Sequence, residues 1–148
     1  MPKVTVEIPQ HIVDDVNAHV GDGKKFVSFS DAVMKLGLIT EFDAAHSLPG
    51  YQGKCANMHG HTYQVEMVVE GPVGQDGFVM DFYRLKKILV AALQELDHSC
   101  LNELLPNPTA ERIAEWICHR LNRELVGSPI RLVSLKLWEG KNKWVMID

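Results

Sequence analysis

Residues 59–70, His-Gly-His-Thr-Tyr-Gln-Val-Glu-Met-Val-Val-Glu, decide the fold because they predict one long strand with two different faces. Successive side chains of a strand point to opposite sides. One face therefore starts with His59 and His61 and continues with tyrosine, valine and methionine. Residues 38–46 predict the neighbouring strand, which ends at His46. Three imidazoles are thus expected at adjoining strand ends.

The rest of the chain predicts two helices and a hairpin. Apolar residues at three- and four-residue steps over 81–96 indicate an amphipathic helix. A four-residue apolar repeat over 113–125 indicates a second helix, with Thr109 as its N-cap. Residues 130–139 and 143–148 predict the hairpin. The resulting order favours an α+β fold, with two helices on one face of a four-stranded antiparallel sheet.

Gly37 marks the predicted boundary between an N-terminal extension, residues 1–36, and a main domain, residues 37–148. In the extension, residues 4–8 predict a strand and residues 11–19 a short helix. Ser30 is a candidate N-cap for another helix that runs to about residue 36.

The order of elements in this extension resembles the beginning of a ribbon-helix-helix DNA-binding module. However, the first 33 residues contain three lysines and five acidic residues, which give them a net charge of −2. A DNA-binding module should be basic. We therefore favour an oligomer-edge or packing role for the extension over contact with DNA.

Composition narrows the class of protein. The chain has 148 residues and a formal charge of −4, which gives no electrostatic footprint for nucleic acid or an anionic membrane. Its longest purely apolar run, residues 88–93, is too short to cross a bilayer. The three cysteines are too few for a disulfide framework and fit a reducing compartment, so a cytoplasmic location is expected.

The three histidines predict a metal site. His59 and His61 share one face of a strand, so both rings can reach one ion, and His46 can complete the set. Three protein ligands with an open fourth position are typical of catalytic zinc. The alternative is that these are ordinary strand and loop histidines. The third histidine favours the prediction of bound Zn²⁺.

Cys55 lies in the loop between the two ligand strands, four residues before His59. It could be a fourth zinc ligand, a buried small apolar side chain, or a free thiol used in acid–base chemistry. A thiolate persists near neutral pH only beside a cation, which zinc or a protonated histidine can supply. The loop context, Gly-Lys-Cys, favours a functional thiol.

Two further sets of residues have both a structural and a chemical interpretation. Asp97 and His98 end the first long helix, where a histidine can simply favour the helix dipole. The pair can also be a carboxylate that fixes an imidazole for proton transfer. Glu139, at a strand end before a glycine, is either a solvated carboxylate or an acceptor for paired N–H groups of a heterocycle.

Several motifs in one order give the chain a family resemblance. It resembles the 6-pyruvoyltetrahydropterin synthase family over residues 37–148. The matching segments are residues 42–48 (Phe-Asp-Ala-Ala-His-Ser-Leu), 55–63 (Cys-Ala-Asn-Met-His-Gly-His-Thr-Tyr), 77–82 (Gly-Phe-Val-Met-Asp-Phe), 96–98 (Leu-Asp-His) with 101–102 (Leu-Asn), 107–111 (Asn-Pro-Thr-Ala-Glu) and 138–139 (Trp-Glu). The three residues between Cys55 and His59 look like the branch that contains 6-carboxytetrahydropterin synthase, an enzyme of queuosine and related deazapurine pathways.

This resemblance implies a tunnelling fold, in which trimers close a barrel and pairs of trimers form hexamers, with active sites between subunits. It implies 7,8-dihydroneopterin triphosphate as the substrate, and zinc bound by the three histidines. Cys55 would transfer protons, and Asp97 with His98 would form a second acid–base pair. Glu139 would anchor the pterin, and Thr109 would contribute to the substrate site.

Other activities stay open at this point. A sibling enzyme could form 6-pyruvoyltetrahydropterin or cleave dihydroneopterin to a hydroxymethylpterin. A different class is a pterin-binding regulatory protein whose N-terminal element contacts DNA or a partner. The complete set of expected catalytic residues argues against this last alternative.

Overall fold

A long antiparallel hairpin forms the centre of the sheet in the computed structural model, which describes residues 9–19 and 32–148. Strand β1, Val33–His46, pairs along its whole length with strand β2, His59–Pro72. The register sets His46 opposite His59 at one end of the hairpin. The two strands are therefore the frame on which the three histidines are placed.

Three α-helices and three more strands complete the architecture of the described residues. The elements that follow the hairpin are α2 (Phe82–Leu93), β3 (Ser99–Cys100), α3 (Ala110–Leu125), β4 (Arg131–Glu139) and β5 (Trp144–Ile147), and α1 (Gln10–His19) precedes it. The strands are ordered β3-β1-β2-β4-β5. All neighbours are antiparallel except β3, which is parallel to β1.

Helices α2 and α3 pack against the same side of the sheet. The inward side chains of the sheet, such as Tyr63 and Leu135, are fully buried with Leu85 and Leu89 of α2 and Ile113 of α3 in one core. Each such side chain contributes about 1.5–3 kcal/mol when it leaves water. The predicted α+β fold with two helices on one face is confirmed.

The helix N-termini are capped by side chains. Asp81 accepts a hydrogen bond from the Arg84 N–H at the start of α2. Thr109 accepts one from the Arg112 N–H at the start of α3, as its sequence position predicts. These caps satisfy donors that the first turn of a helix leaves free. The cap of α3 also fixes the residues just before that helix, and one of them contacts a histidine of the site described below.

The sheet differs from the predicted one by strand β3. Its two residues are too few to show a periodic pattern, so the sequence did not indicate it. They pair with Ala44 and Ala45 on the outer edge of β1, because the chain that leaves α2 passes along that edge. Within residues 9–19 and 32–148 the sheet therefore has five strands, and the additional strand β3 is short and parallel to β1.

The N-terminal predictions have mixed outcomes. Helix α1 confirms the short helix predicted over residues 11–19. The helix predicted from Ser30 to about residue 36 is wrong over residues 33–36, which belong to β1 because they pair with the end of β2. Ser30 and the strand predicted over residues 4–8 lie outside the described residues. Strand β1 runs through Gly37 without a break, and the domain boundary there stays a prediction.

No helix within the described ranges is both long enough and apolar enough to cross a membrane.

Candidate metal centre and its surroundings

The end of the central hairpin brings the three predicted histidines together. His46 faces His59 across the two strands, and His61 lies two residues further on the same face of β2. The ligand nitrogens of all three rings lie within 4.8 Å of one another. His46 is buried, and His59 and His61 are half-buried. The three imidazoles can therefore reach one ion from one side.

Hydrogen bonds fix the orientation of two of the rings. Nδ1 of His46 is 2.7 Å from the carbonyl oxygen of Pro108, and Nδ1 of His59 is 2.8 Å from that of Asn57. A carbonyl oxygen only accepts, so each Nδ1 carries the donated hydrogen, and in the neutral ring each Nε2 keeps its lone pair. Such outer partners commonly orient metal-binding histidines.

The distance between those two Nε2 atoms is a direct indication of a cation site. The Nε2 atoms of His46 and His59 are 3.1 Å apart. Two lone pairs at that distance repel each other unless a proton or a metal ion lies between them. Tetrahedral zinc with Zn–N bonds of about 2.0–2.1 Å separates its nitrogens by about 3.3–3.4 Å, which is close to the observed spacing.

His61 supplies the third nitrogen. Its Nε2 is buried and has no hydrogen-bond partner among the described residues. Burial lowers the pKa of His61; Glu139 opposes this shift, and His46, His59 and Lys143 add to it. The neutral ring that results is the metal-binding form of histidine. A buried nitrogen without a partner, beside two that face each other, fits a divalent metal that prefers imidazole.

Glu139 lies beside this cluster. Its carboxylate oxygens are 3.7 Å from Nε2 of His61 and 3.9 Å from Nε2 of His46, and Lys143 Nζ is 3.4 Å from one of them. The side chain is only 17% exposed, so it is not a solvated turn carboxylate. Its position suits an acceptor for a ligand held next to the histidines.

Tyr63 is a neighbour that the sequence reasoning missed. Its buried hydroxyl is 3.4 Å from each ring nitrogen of His46. Burial raises the pKa of Tyr63, and the charge of Glu139 raises it further, so the phenol stays protonated. The available signal was its spacing, because Tyr63 follows His61 by two residues and shares its face of β2.

Cys55 lies in a single 3₁₀ turn, Lys54–Ala56, in the loop between β1 and β2. The thiol is half-buried, which is not the fully buried position of a packing residue. Its sulfur is outside the set of ligand atoms that the three histidines form, so the structure does not support a fourth ligand. Of the three interpretations, the free thiol fits this placement best.

Asp97 and His98 lie in the turn after α2, at the outer edge of β1. Nδ1 of His98 donates to the carboxylate of Asp97 at 2.8 Å, so the two form a pair. Both side chains are open to solvent, with His98 79% exposed. No hydrogen bond or ion pair within the described part of the chain joins them to the three histidines. An open groove of about 640 Å³ is lined by both His61 and His98.

Thr109 connects a helix cap to the histidine site. It caps α3 with its hydroxyl, and the carbonyl oxygen of the preceding Pro108 holds His46. The sequence offered no side-chain signal for Pro108, because its contribution comes from the main chain. The start of α3 therefore orients a candidate metal ligand.

Fold and site together define the class: an α+β protein with a three-histidine candidate metal centre at one end of its sheet. The family model described as 6-pyruvoyl tetrahydropterin synthase matches residues 35–148, and the chain belongs to this family.

Individual relatives agree with this assignment. A dihydroneopterin monophosphate aldolase of Pyrococcus furiosus is 43% identical over 72% of this chain and 90% of its own length. A 6-carboxy-5,6,7,8-tetrahydropterin synthase of Haemophilus influenzae is 32% identical over 72% of this chain and 93% of its own length. The predicted family and the predicted enzyme class, a pterin lyase, are confirmed.

Structural similarity supports the fold independently. The structure of Caenorhabditis elegans 6-pyruvoyl tetrahydropterin synthase superimposes with a TM-score of 0.69 at 24% identity, covering 78% of this chain and 95% of that one. At this identity the likeness concerns the fold alone, and it confirms the predicted tunnelling fold.

Proposed function

We propose that this protein is a zinc-dependent lyase that converts 7,8-dihydroneopterin triphosphate to 6-carboxy-5,6,7,8-tetrahydropterin. The reaction consumes water and releases acetaldehyde and triphosphate. The observation that carries the proposal is the convergence of three imidazole nitrogens, two of them 3.1 Å apart, within a domain of this family. The name of the Haemophilus influenzae relative supports the choice of product.

His46, His59 and His61 would hold the zinc ion. When bound, zinc supplies a Lewis acid that lowers the pKa of the hydroxyl groups on the substrate side chain. The protein's part is to favour the neutral ring of His61 through burial and to orient the His46 and His59 rings through their hydrogen bonds to carbonyl oxygens. Their common orientation leaves one side of the cluster for the substrate.

The pterin ring is anchored by Glu139. Its two carboxylate oxygens can accept hydrogen bonds from neighbouring N–H groups of the heterocycle, while they stay next to His61 and His46. Fixing the ring there holds the side chain of the substrate over the histidines. Thr109, whose main-chain neighbour orients His46, contributes to the same substrate site.

Cys55 and His98 move the protons. In this proposal they act on opposite sides of the substrate side chain, each within reach of a carbon or oxygen that gains or loses hydrogen. Asp97 keeps a hydrogen on Nδ1 of His98, so Nε2 remains the atom that faces the substrate. The exposure of this pair suits a group that meets its substrate from outside the core.

The assembly that the family resemblance implies is part of this proposal. We expect a homo-oligomer, a trimer or hexamer, in which a neighbouring subunit contributes to each site. Within the described residues, Ala44 and Ala45 pair with β3 on the outer edge of β1 and Asp43 binds Asp97 and His98 there, which leaves backbone groups of the earlier β1 residues for another chain. The proposal also includes a cytoplasmic location, a role in queuosine or deazapurine synthesis, and no membrane or nucleic-acid partner.

A second candidate function is the cleavage of dihydroneopterin or its phosphate to a hydroxymethylpterin. The observation that favours it is the 43% identity with the Pyrococcus furiosus aldolase. Both reactions break a carbon–carbon bond of the same side chain, so they need the same anchor and the same proton-transferring groups. The nature of the products separates them.

The test is turnover by the zinc-loaded protein, with dihydroneopterin triphosphate and dihydroneopterin monophosphate in separate assays and products identified by mass. A carboxypterin with acetaldehyde supports the first proposal, and a hydroxymethylpterin supports the second. A pyruvoyl product contradicts both. Tight pterin binding without turnover supports the regulatory class instead.

A pair of cysteine variants controls this assay. Cys55→Ala should abolish turnover and leave the metal content unchanged. Cys118→Ala is the matched control, because burial on α3 raises the pKa of its thiol and keeps it uncharged, away from the histidines. If both variants keep full activity, Cys55 has no part in proton transfer.

A further inference from the structure

A continuous chain of hydrogen bonds links the metal-binding strand to the Asp97–His98 pair. Asp43 of β1 lies directly opposite Thr62 of β2. The Thr62 hydroxyl donates to the Asp43 carboxylate at 2.5 Å. Thr62 immediately follows His61, so this bond begins on the strand that carries two of the candidate metal ligands.

The main chain of Asp43 holds both members of the pair. Its N–H donates to Oδ1 of Asp97 at 3.1 Å, the same oxygen that accepts from Nδ1 of His98. Its carbonyl oxygen accepts from the His98 N–H at 2.6 Å. One residue thus restrains the Asp97 carboxylate and the His98 backbone together.

His98 needs this restraint. Its φ of 56° is in the left-handed region, which residues other than glycine rarely adopt, and it is the one non-glycine residue with positive φ in the described ranges. Such conformations persist where the surrounding contacts over-determine them, and they cluster at functional sites. Here the His98 N–H donates directly to the Asp43 carbonyl oxygen, and the Asp97 carboxylate that accepts from the His98 ring is itself held by the Asp43 N–H.

We infer that Asp43 and Thr62 are positioning residues for the proton-transferring pair Asp97 and His98. Both side chains are exposed on the sheet face opposite the core, so they act neither as metal ligands nor as packing residues. Thr62 fixes the Asp43 side chain, and the Asp43 main chain fixes the angle at which His98 is presented. The inference rests on the proposed function only for the role of the pair in proton transfer.

The test combines four variants with two measurements. Thr62→Val and Asp43→Ala each remove the hydrogen bond between the Thr62 hydroxyl and the Asp43 side chain. In contrast, Thr62→Ser keeps the donor, and Asp43→Asn keeps an acceptor. Hydrogen exchange of the His98 amide reports the restraint directly, without any substrate. Steady-state kinetics with the pterin that the wild type turns over give kcat and KM separately.

We expect Thr62→Val and Asp43→Ala to accelerate exchange of the His98 amide about tenfold and to lower kcat about 10- to 100-fold, with KM within a factor of about two. Thr62→Ser and Asp43→Asn should stay near the wild type in both measurements. The double variant of Thr62→Val and Asp43→Ala should be no worse than either single variant, since both remove the same bond.

Two results overturn the inference. One is unchanged exchange of the His98 amide in both disruptive variants. The other is a raised KM with unchanged kcat, which indicates direct contact with substrate. If Thr62→Val does not fold, the comparison of Asp43→Ala with Asp43→Asn decides. If the wild type turns over no pterin, the proposed function fails on its own, and the exchange measurement still decides whether Asp43 and Thr62 hold His98.

Discussion

The histidine cluster and the Asp97–His98 turn are built in opposite ways. The cluster lies at the end of a fourteen-residue antiparallel pairing, with His46 1% exposed. The turn lies beside a two-residue strand, with His98 79% exposed, and a few hydrogen bonds hold it. The cluster is therefore held by the register of two long strands, whereas the turn is held by hydrogen bonds to Asp43 and stays open to solvent.

This difference separates two contributions to one proposed reaction. Metal binding needs three nitrogens at fixed distances, which a long strand register provides. Proton transfer needs a group that can approach the substrate from its own side. Changes at the cluster should therefore affect metal content and activity together, and changes at the turn should affect activity alone.

The largest expected effect follows from loss of a candidate ligand. His61→Ala should abolish stoichiometric zinc binding and lower kcat/KM by at least about 1,000-fold, because two remaining imidazoles hold the ion poorly. Metal analysis and kinetics on the same sample measure both. His119→Ala, an exposed histidine of α3, is the matched control. Full metal content in the His61 variant would contradict the assigned ligand set.

A smaller effect is expected at the exposed turn. His98→Ala should lower kcat by about 100- to 1,000-fold, the usual contribution of a general acid or base, and leave the zinc content of the protein unchanged. Asp97→Asn should act in the same direction because it removes the carboxylate that orients the ring. Loss of zinc from either variant would show that the turn also contributes to metal binding.

Glu139 lies beside the histidine cluster but is not one of its candidate metal ligands, so its substitution should affect substrate binding and not metal content. Glu139→Gln keeps the shape and weakens a charge-assisted hydrogen bond, which contributes about 1.5–3 kcal/mol. We therefore expect KM for the pterin to rise about 10- to 100-fold, with zinc content preserved. An unchanged KM would show that the pterin is anchored elsewhere.

Metal removal should abolish turnover, as loss of a candidate ligand does, and its effect on stability is the smallest of the expected changes. At metal concentrations 100-fold above Kd, a bound ion stabilises the folded state by about 2.7 kcal/mol. Chelation should therefore lower Tm by several degrees in the wild type and equally in His98→Ala. In His61→Ala the chelator should cause no shift, and a full shift there would place the ion outside the cluster.

Much of the fold could be predicted because the spacing of apolar residues along the chain indicated its long strands and helices. The alternation that starts at His59 predicted β2, and the capping position of Thr109 predicted the start of α3. Prediction failed where pairing outweighs local preference. Residues 33–36 were expected to end a helix that Ser30 caps, yet they join β1 because β2 offers them a continuous row of backbone partners.

The same contrast holds within the site. The spacing of His59 and His61 indicated that the two share a face, because side chains alternate along any strand. Glu139 is far from the histidines in the sequence, so its distances to their nitrogens emerged only from the packed structure, whereas the spacing of Tyr63 from His61 already placed both on one face. Pro108 contributes a carbonyl oxygen, which every residue type possesses.

The sequence by itself determined the long strands and the two helices of the main domain, the family and the three histidines, since each is encoded in spacing along the chain. Only the tertiary structure decided the distances between rings, the carbonyl oxygens that set their tautomers, and the restraint of His98 by Asp43. These depend on register and main-chain hydrogen bonds between segments far apart in the chain. Such contacts form only when the whole core packs, and no local pattern records them.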